Sequence, residues 1–425
     1  MKIAIDLQSC QSNSRHHGIG RYSMAIVREM IIQCGTKHQI WVLLNAQLNP
    51  QTLAEISTEL EDILPVQQIL AFQVPTPNDA HSTHQAKQCA AEYIREYFIE
   101  ALQPDVLYIT SLFEGLNDHA TTSIGAFSQQ TTVALIQYDL IPYLQQDVYL
   151  PNEEIRYSYL KKIESLGKAD KVLAISAYAK QEVEQALGLA SERVVNASTA
   201  VTPHFSGEQS TAEAAARLAG FSLEPGYILY APSGFDVRKN VPGLLRAYAR
   251  LPVDTQKSYP LALVGRVDEP TKTALLLLAA ELHISGQLVF AGYVSDAELL
   301  AFYQCASLFV FPSYHEGFGL PALEAMTLGI PTIGANRTSL VEVIGLEEAL
   351  FDPDDIEQMA GLITKSLTDT DFRQRLISHA KQQSQVFSWQ KSAAVTLTAL
   401  EECAQTSNKQ PEAWQGLEPD PNTYS

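Results

Sequence analysis

The sequence predicts an α/β chain built as two Rossmann-like domains that face a central cleft, and three observations predict it. Short apolar runs alternate with longer stretches of helical period along most of the 425 residues, the pattern of βαβ units and parallel sheets. The length suits two or three domains, and 46% hydrophobic with 18% charged residues supplies apolar material for two separate cores. Between the halves, Thr202–Glu224 changes character, with Pro203, Gly207 and Gly220 around a short Ala-rich stretch and Pro225 after it.

In the first half, the apolar run Lys2–Leu7 reads as a strand, followed by a helix over about Gly20–Cys34 and a strand at Gln39–Leu44. Leu48–Gln85 reads as irregular. A helix over about Ala86–Leu102 then leads to strands Val106–Thr110 and Thr132–Gln137. Helix Asn152–Gly167, strand Lys171–Ile175, helix Tyr178–Leu187 and strand Arg193–Asn196 close this half. In the second half, strands at Tyr227–Ala231, Leu261–Val264, Gln287–Ala291, Leu308–Pro312 and Pro331–Ile333 alternate with helices starting near Val241, Glu269, Asp296 and Pro321. The expected organisation is a first domain over 1–203, a linker over 204–225, a second domain over 226–385, a crossover helix over 386–404 and a disordered polar tail over 405–425.

The bulk chemistry excludes several classes. A formal charge of −19 is a poor basis for nucleic-acid binding, which needs clustered Lys and Arg. It also opposes docking on anionic lipid through a broad basic face, although a local basic patch is compatible with peripheral membrane contact. Cys10, Cys34, Cys89, Cys305 and Cys403 are dispersed, with no C-x-x-C pair, so no zinc site or redox dithiol is suggested and a reducing cytosol fits. The start of the chain runs into a strand pattern without the succession of a signal peptide. No apolar run reaches the ~18 residues of a membrane span. A cytoplasmic protein is expected.

In doubly wound sheets ligands bind beyond the carboxyl ends of strands, and the motifs lie there. The strongest is Phe311-Pro-Ser-Tyr-His-Glu316-Gly-Phe-Gly-Leu-Pro-Ala-Leu-Glu324. A strand ends at Pro312, and Pro321 opens a helix, where its missing N–H costs nothing. Gly317 and Gly319 allow close backbone approach. The amides of Phe318, Gly319 and Leu320 at a helix start favour an anion. Glu324 in the first turn leans back toward the same pocket as Glu316, and carboxylates accept hydrogen bonds from sugar hydroxyls. On spacing alone, the bland alternative is a plain strand–turn–helix crossover with a dipole-favoured Glu in its first turn. Near the first strand of the second half, Arg238 and Lys239 open a helix where cations oppose the dipole, which calls for an anion nearby. An exposed basic pair is the bland alternative.

The spacing of Glu316 and Glu324 within E-G-F-G-L-P-x-L-E-A-M resembles the signature of retaining glycosyltransferases of family 4. The resemblance covers most of residues 1–404. It is dense over 227–355 and thin over 48–105. It implies a GT-B type fold and a hexosyltransferase that moves a sugar from a nucleotide diphosphate to a glycan or lipid-linked saccharide acceptor. Glu316 would contact the transferred sugar and Glu324 the ribose. Lys239 matches the diphosphate-binding lysine. Gly234 stands where many relatives carry an arginine, so Arg238 or Arg266 would supply the second cation. Backbone near Tyr293 and Val294 would read the base. Gly18 and Gly20, in a glycine-rich turn before a helix, would approach the diphosphate from the other domain. Tyr138-Asp139 occupies the place of a usual His-Asp, which leaves Asp139 to orient donor or acceptor sugar. His315 is read as a solvated loop residue, the stretch from Ala335 to Val343, which includes Glu342, as cleft lining, and the loop from Ser111 to Gly115, which includes Glu114, as a further acceptor-side candidate.

No Asp-x-Asp motif lies in a suitable loop, so metal-independent transfer without a cofactor is expected. The G-I-G-R-Y, Y-D-L-I-P and R-K-N variants resemble those of bacterial polysaccharide mannosyltransferases, which favours GDP-mannose over UDP- and dTDP-sugars. A sugar-nucleotide epimerase or hydrolase of the same fold, or a non-catalytic binder of nucleotide sugars, are the alternatives.

Overall fold

In a computed structural model, residues 1–202, 205, 210–232 and 234–406 are described. The first sheet has seven strands: β1 (Lys2–Asp6), β2 (Gln39–Asn45), β3 (Ile69–Phe72), β4 (Val106–Ile109), β5 (Val133–Gln137), β6 (Lys171–Ala174) and β7 (Val194–Asn196), ordered β3-β2-β1-β4-β5-β6-β7. The second has six: β8 (Tyr227–Tyr230), β9 (Leu261–Val264), β10 (Leu288–Gly292), β11 (Ala306–Phe311), β12 (Thr332–Ala335) and β13 (Leu350–Phe351), ordered β10-β9-β8-β11-β12-β13. Every strand pairing is parallel, as in β1 with β2 and β4, and β8 with β9 and β11. Their central strands are buried on both faces, which parallel sheets covered by helices require. This is the GT-B arrangement of two Rossmann-like domains. Strand order reverses beside β1 and beside β8, so both switch points put loops at the strand ends where a ligand crevice forms.

The stretch expected to be irregular is not. Pro50–Leu60 is a helix capped by the Asn49 side chain, with Pro50 in its first turn and Thr52, Ile56 and Leu60 buried on one face. β3 follows it as an edge strand in which only Phe72 is buried, so its alternation was too weak to read. The expected linker also holds structure. Thr211–Leu218 is a helix with a Ser210–Glu213 capping box. Its Ala214 and Leu218 are fully buried, and it packs on the helix Asp296–Gln304. Residues 203, 204 and 206–209 of that linker lie outside the described residues.

Two helices not anticipated from the sequence, Ile356–Thr368 and Thr370–Ser384, follow β13. The last helix, Trp389–Thr406, returns to the first domain and packs on the helix Gly18–Cys34. There the Trp389 indole donates to the Val201 carbonyl at 3.0 Å and meets the Tyr22 ring edge-on at 5.2 Å. It runs two residues past the expected end. The rest of the expected tail, 407–425, lies outside the described residues. No helix among the described residues is long and apolar enough to cross a membrane.

Candidate active site

β11 ends at Phe311, and the chain then crosses the carboxyl edge of the second sheet as the loop 312–319. Gly319 takes φ +103°, a left-handed conformation open to glycine, and starts the helix Leu320–Thr327 with Pro321 in its first turn. A Cβ on Gly319 would also stand 2.6 Å from Leu340 Cδ2. The loop is pinned from one side: the buried Ser339 hydroxyl is 2.8 Å from the carbonyls of both Glu316 and Phe318, and the Glu316 N–H donates to Thr338 Oγ1 at 3.1 Å. Phe318 is buried against Phe387, and Leu320 is half-buried.

This pinning aims Glu316 at the helix start after β8. Lys239 Nζ is 2.6 Å from Glu316 Oε1, and Arg238 Nη1 is 2.9 Å from Glu316 Oε2. Glu316 and Lys239 are buried. The backbone of the cationic turn is fixed too. Tyr230 Oη donates to the Lys239 carbonyl at 3.0 Å, and the Tyr314 N–H donates to the Arg238 carbonyl at 2.7 Å. Burial works against ionisation of Glu316, yet the charges of Lys239 and Arg238 hold its carboxyl below the ordinary range. The cluster therefore holds two basic side chains against one carboxylate in a buried pocket.

Glu324 has different partners. Its Oε2 accepts from the Tyr303 hydroxyl at 2.8 Å. Burial pushes its pKa up to about 7, opposed by that bond and by the charge of Arg21. Arg21 comes from the first domain and bridges to Asp296 at 2.9 Å. Gly18 and Gly20, expected in a turn before a helix, sit inside the first turn of the helix Gly18–Cys34. Gly20 is buried because a Cβ there would meet the Arg15 Cα at 2.5 Å and the Ser14 carbonyl at 2.6 Å. The turn 13–16 thus folds back over the helix start, which the glycine-turn reading could not show.

Arg266 and Tyr293 form a separate exposed pair, with the guanidinium 5.6 Å from the ring and Tyr293 76% exposed. Neither Arg266 nor Tyr293 touches the Glu316 cluster among the described contacts. Val294 is half-buried beside them, before the Ser295 cap of the next helix. Asp139 reaches the cluster from the first domain. Its Oδ1 accepts from the Ile141 N–H at 3.0 Å, and burial raises its pKa against that bond and the charge of Arg238. Gly317 lies so close to this loop that a Cβ would stand 2.5 Å from the Tyr138 carbonyl and 3.0 Å from Asp139 Cβ.

The sequence did not single out His315, Tyr149 or Glu182 for function, and it left Glu114 as an acceptor-side candidate. His315, read as a solvated loop residue, is buried, with Nε2 2.7 Å from Glu182 Oε1 of the first domain. The Tyr149 hydroxyl donates to Asp236 at 2.7 Å across the same gap. Glu114, read as an acceptor-side candidate, is buried and accepts from the hydroxyls of Ser12 and Ser111 at 2.6 and 2.7 Å. No local pattern marks Glu182 or Tyr149, because each has a partner in the other half of the chain, His315 for Glu182 and Asp236 for Tyr149.

Comparison with known proteins bears on the fold and the family. The chain is 36% identical over 411 residues to the serotype-specific mannosyltransferase WbdA of Escherichia coli, covering 96% of this chain and 49% of that protein. It is 34% identical over 252 residues to the O-antigen chain mannosyltransferase B of Escherichia coli, covering 59% of this chain and 65% of the relative. The chain thus spans about half the length of the WbdA relatives. Among solved structures, Anabaena HepE in complex with UDP and glucose aligns with a TM-score of 0.65 at 17% identity, over 96% of this chain and 99% of the other, and shares the fold. The family model for glycosyl transferases group 1 matches residues 219–383, the domain that carries Lys239, Glu316 and Glu324. The chain thus carries a second domain similar to the glycosyl transferases group 1 family.

Proposed function

We propose that the protein is a retaining mannosyltransferase that moves mannose from GDP-mannose onto a glycan or lipid-linked saccharide acceptor of a surface polysaccharide. The observation that carries this reading is the buried cluster of Lys239, Arg238 and Glu316 at the end of β11 and the start of the following helix. Bond breaking at the anomeric carbon leaves the electron pair on the diphosphate. Fixed positive charge in a low-dielectric pocket stabilises that charge without reorganisation. Lys239 and Arg238 supply it, with the Gly319 helix start adding its dipole, so no metal or cofactor is invoked.

Glu316 then contacts the transferred sugar and holds it over the cations. Glu324 accepts the ribose hydroxyls, and the backbone of Tyr293 and Val294 meets the base. Gly18 and Gly20 bring the first domain's helix start toward the diphosphate. The acceptor hydroxyl attacks from the face the diphosphate leaves, forming the new C–O bond as the old one breaks. Its proton passes to the departing phosphate oxygen, the nearest base on that face, and Asp139 orients the sugars. The mannosyl donor is favoured by the names of the relatives.

The reading is tested by thermal shift and transfer assays over GDP-mannose, UDP-glucose and dTDP-sugars with a mannose-containing acceptor. GDP-mannose near 100 Kd raises stability by about 2.7 kcal/mol, and only it yields product, which Glu316→Gln abolishes. Stabilisation and transfer by a UDP- or dTDP-sugar alone would overturn the donor assignment.

A further inference from the structure

We propose that the helix Ala177–Leu187 of the first domain is a latch on the loop that carries Glu316, with Glu342 and the Glu182–His315 pair as positioning residues. The proposal rests on the glycosyltransferase reading, because it assigns this helix a part in transfer. Three sets of contacts meet on that helix. At its start, the Ala177 and Tyr178 N–H groups donate to the two oxygens of Glu342 from the second domain, at 3.0 and 2.9 Å. The first N–H groups of a helix have no partner within it. A carboxylate there is also favoured by the dipole. The cap of this helix is therefore shared: Ser176 accepts the Ala179 N–H at 2.8 Å, while the other domain takes two more donors.

The same Ser176 hydroxyl donates to the Gly317 carbonyl at 2.6 Å, with Ser176 fully buried. That carbonyl belongs to the residue after Glu316. One turn further, Glu182 spans the junction. Its Oε2 accepts from the Leu140 N–H at 2.7 Å, next to Asp139, and its Oε1 stands 2.7 Å from His315 Nε2, next to Glu316. Tyr178 packs edge-on to the His315 ring, centroids 5.7 Å apart. The His315 carbonyl in turn accepts from Arg238 Nη1 at 3.0 Å.

These contacts form a continuous path from the Asp139 loop through Glu182 and His315 to Arg238 and Glu316. None of the three positioning residues touches the place assigned to the sugar. Their effect is on distance: the acceptor-side loop and the donor-side carboxylate belong to different domains, and reaction needs them held within a fraction of an ångström.

The test uses the full chain with GDP-mannose and a mannose-containing acceptor. In Glu342→Ala and Glu182→Gln, turnover falls by about 10- to 100-fold, while the GDP-mannose Kd by calorimetry stays within about twofold. Combining Glu182→Gln with His315→Gln lowers turnover no further than the worse single change, as a coupled pair requires. Glu342→Asp restores part of the loss, since it still offers an acceptor. Hydrogen exchange gives a readout independent of activity. The Ala177 and Tyr178 amides exchange faster in Glu342→Ala, while the rest of the helix keeps its protection.

Wild-type turnover in Glu342→Ala, or a loss that appears equally in donor Kd, overturns the proposal. So does unchanged exchange at the two amides. If the wild-type chain transfers no sugar from any donor, the functional reading falls with the proposed part in transfer. The exchange result then decides whether the latch itself exists.

Discussion

Lys239 Nζ and Glu316 Oε1 lie 2.6 Å apart, both side chains buried, although the residues are 77 positions apart in the chain. Each charge is tolerable because the other is there. Removing one partner of a buried pair costs about 3–5 kcal/mol, since it strands the other. Lys239→Met leaves Glu316 with Arg238 alone, so the second domain is expected to lose stability at the low end of that range, about 3 kcal/mol. Lys239→Met with Glu316→Gln should recover much of the loss, because no buried carboxylate is left short of a cation. Denaturant unfolding of the single and double variants checks this, and strict additivity would contradict it.

Glu324 makes stability depend on pH. Its ordinary value is 4.5 and burial raises it to about 7 in the folded protein. The folded state therefore holds this proton more tightly than the unfolded chain does. The stability it contributes is full below the unfolded value and is lost as pH rises through about 7. Glu324→Gln cannot ionise and escapes that loss. The melting temperature of the variant relative to wild type should climb between about pH 4.5 and 7. A difference that stays flat with pH would refute the assignment.

Gly317 packs directly against the Tyr138–Asp139 backbone of the first domain. In Gly317→Ala the new Cβ would meet the Tyr138 carbonyl at 2.5 Å, backbone that cannot rotate away. Overpacking of this kind costs about 1–3 kcal/mol, and here the two domains can relieve it by separating. Turnover should fall sharply while circular dichroism and the GDP-mannose Kd remain near wild type. A variant with normal turnover would show that the junction is not needed in this form.

Asp6 and Arg95 form a second buried ion pair, beneath the first sheet and far from the Lys239 cluster in sequence. Both side chains are fully buried, Arg95 Nε donates to Asp6 Oδ2 at 2.8 Å, and Gln8 donates to both Asp6 oxygens at 3.0 Å. Arg95→Met leaves Asp6 with neutral donors only and should cost about 3–5 kcal/mol. Since the pair belongs to the first domain, GDP-mannose affinity at low temperature should be unaffected. Unfolding curves and calorimetry on one variant separate the two effects.

The parts of the site that were legible in the sequence are those written within one loop and its neighbouring strand and helix. Gly319, Pro321 and the spacing of Glu316 from Glu324 all lie within a few residues of the end of β11. Arg238 and Lys239 likewise precede the helix Val241–Ala249 directly. The helix Pro50–Leu60 was also encoded locally, by Asn49, Pro50 and a buried face, but the weak strand after it hid the pattern. Gly18 and Gly20 were assigned to the right strand end but to the wrong local structure, because only the folded-back Arg15 backbone explains why Gly20 lacks a side chain.

By itself the sequence determined the alternation of strands and helices, the two parallel sheets and the acidic loop at the edge of the second. Each follows from periodicity and capping over a few neighbouring residues. Only the tertiary structure decided that Glu316 is neutralised by Lys239 and Arg238, that Glu324 turns to Tyr303, and that Glu182, His315 and Glu342 join the domains. The physical reason is range. A helix start is specified by the residues that form it, whereas a carboxylate meets a cation or an amide from the other half of the chain only after both sheets have folded and come to face each other.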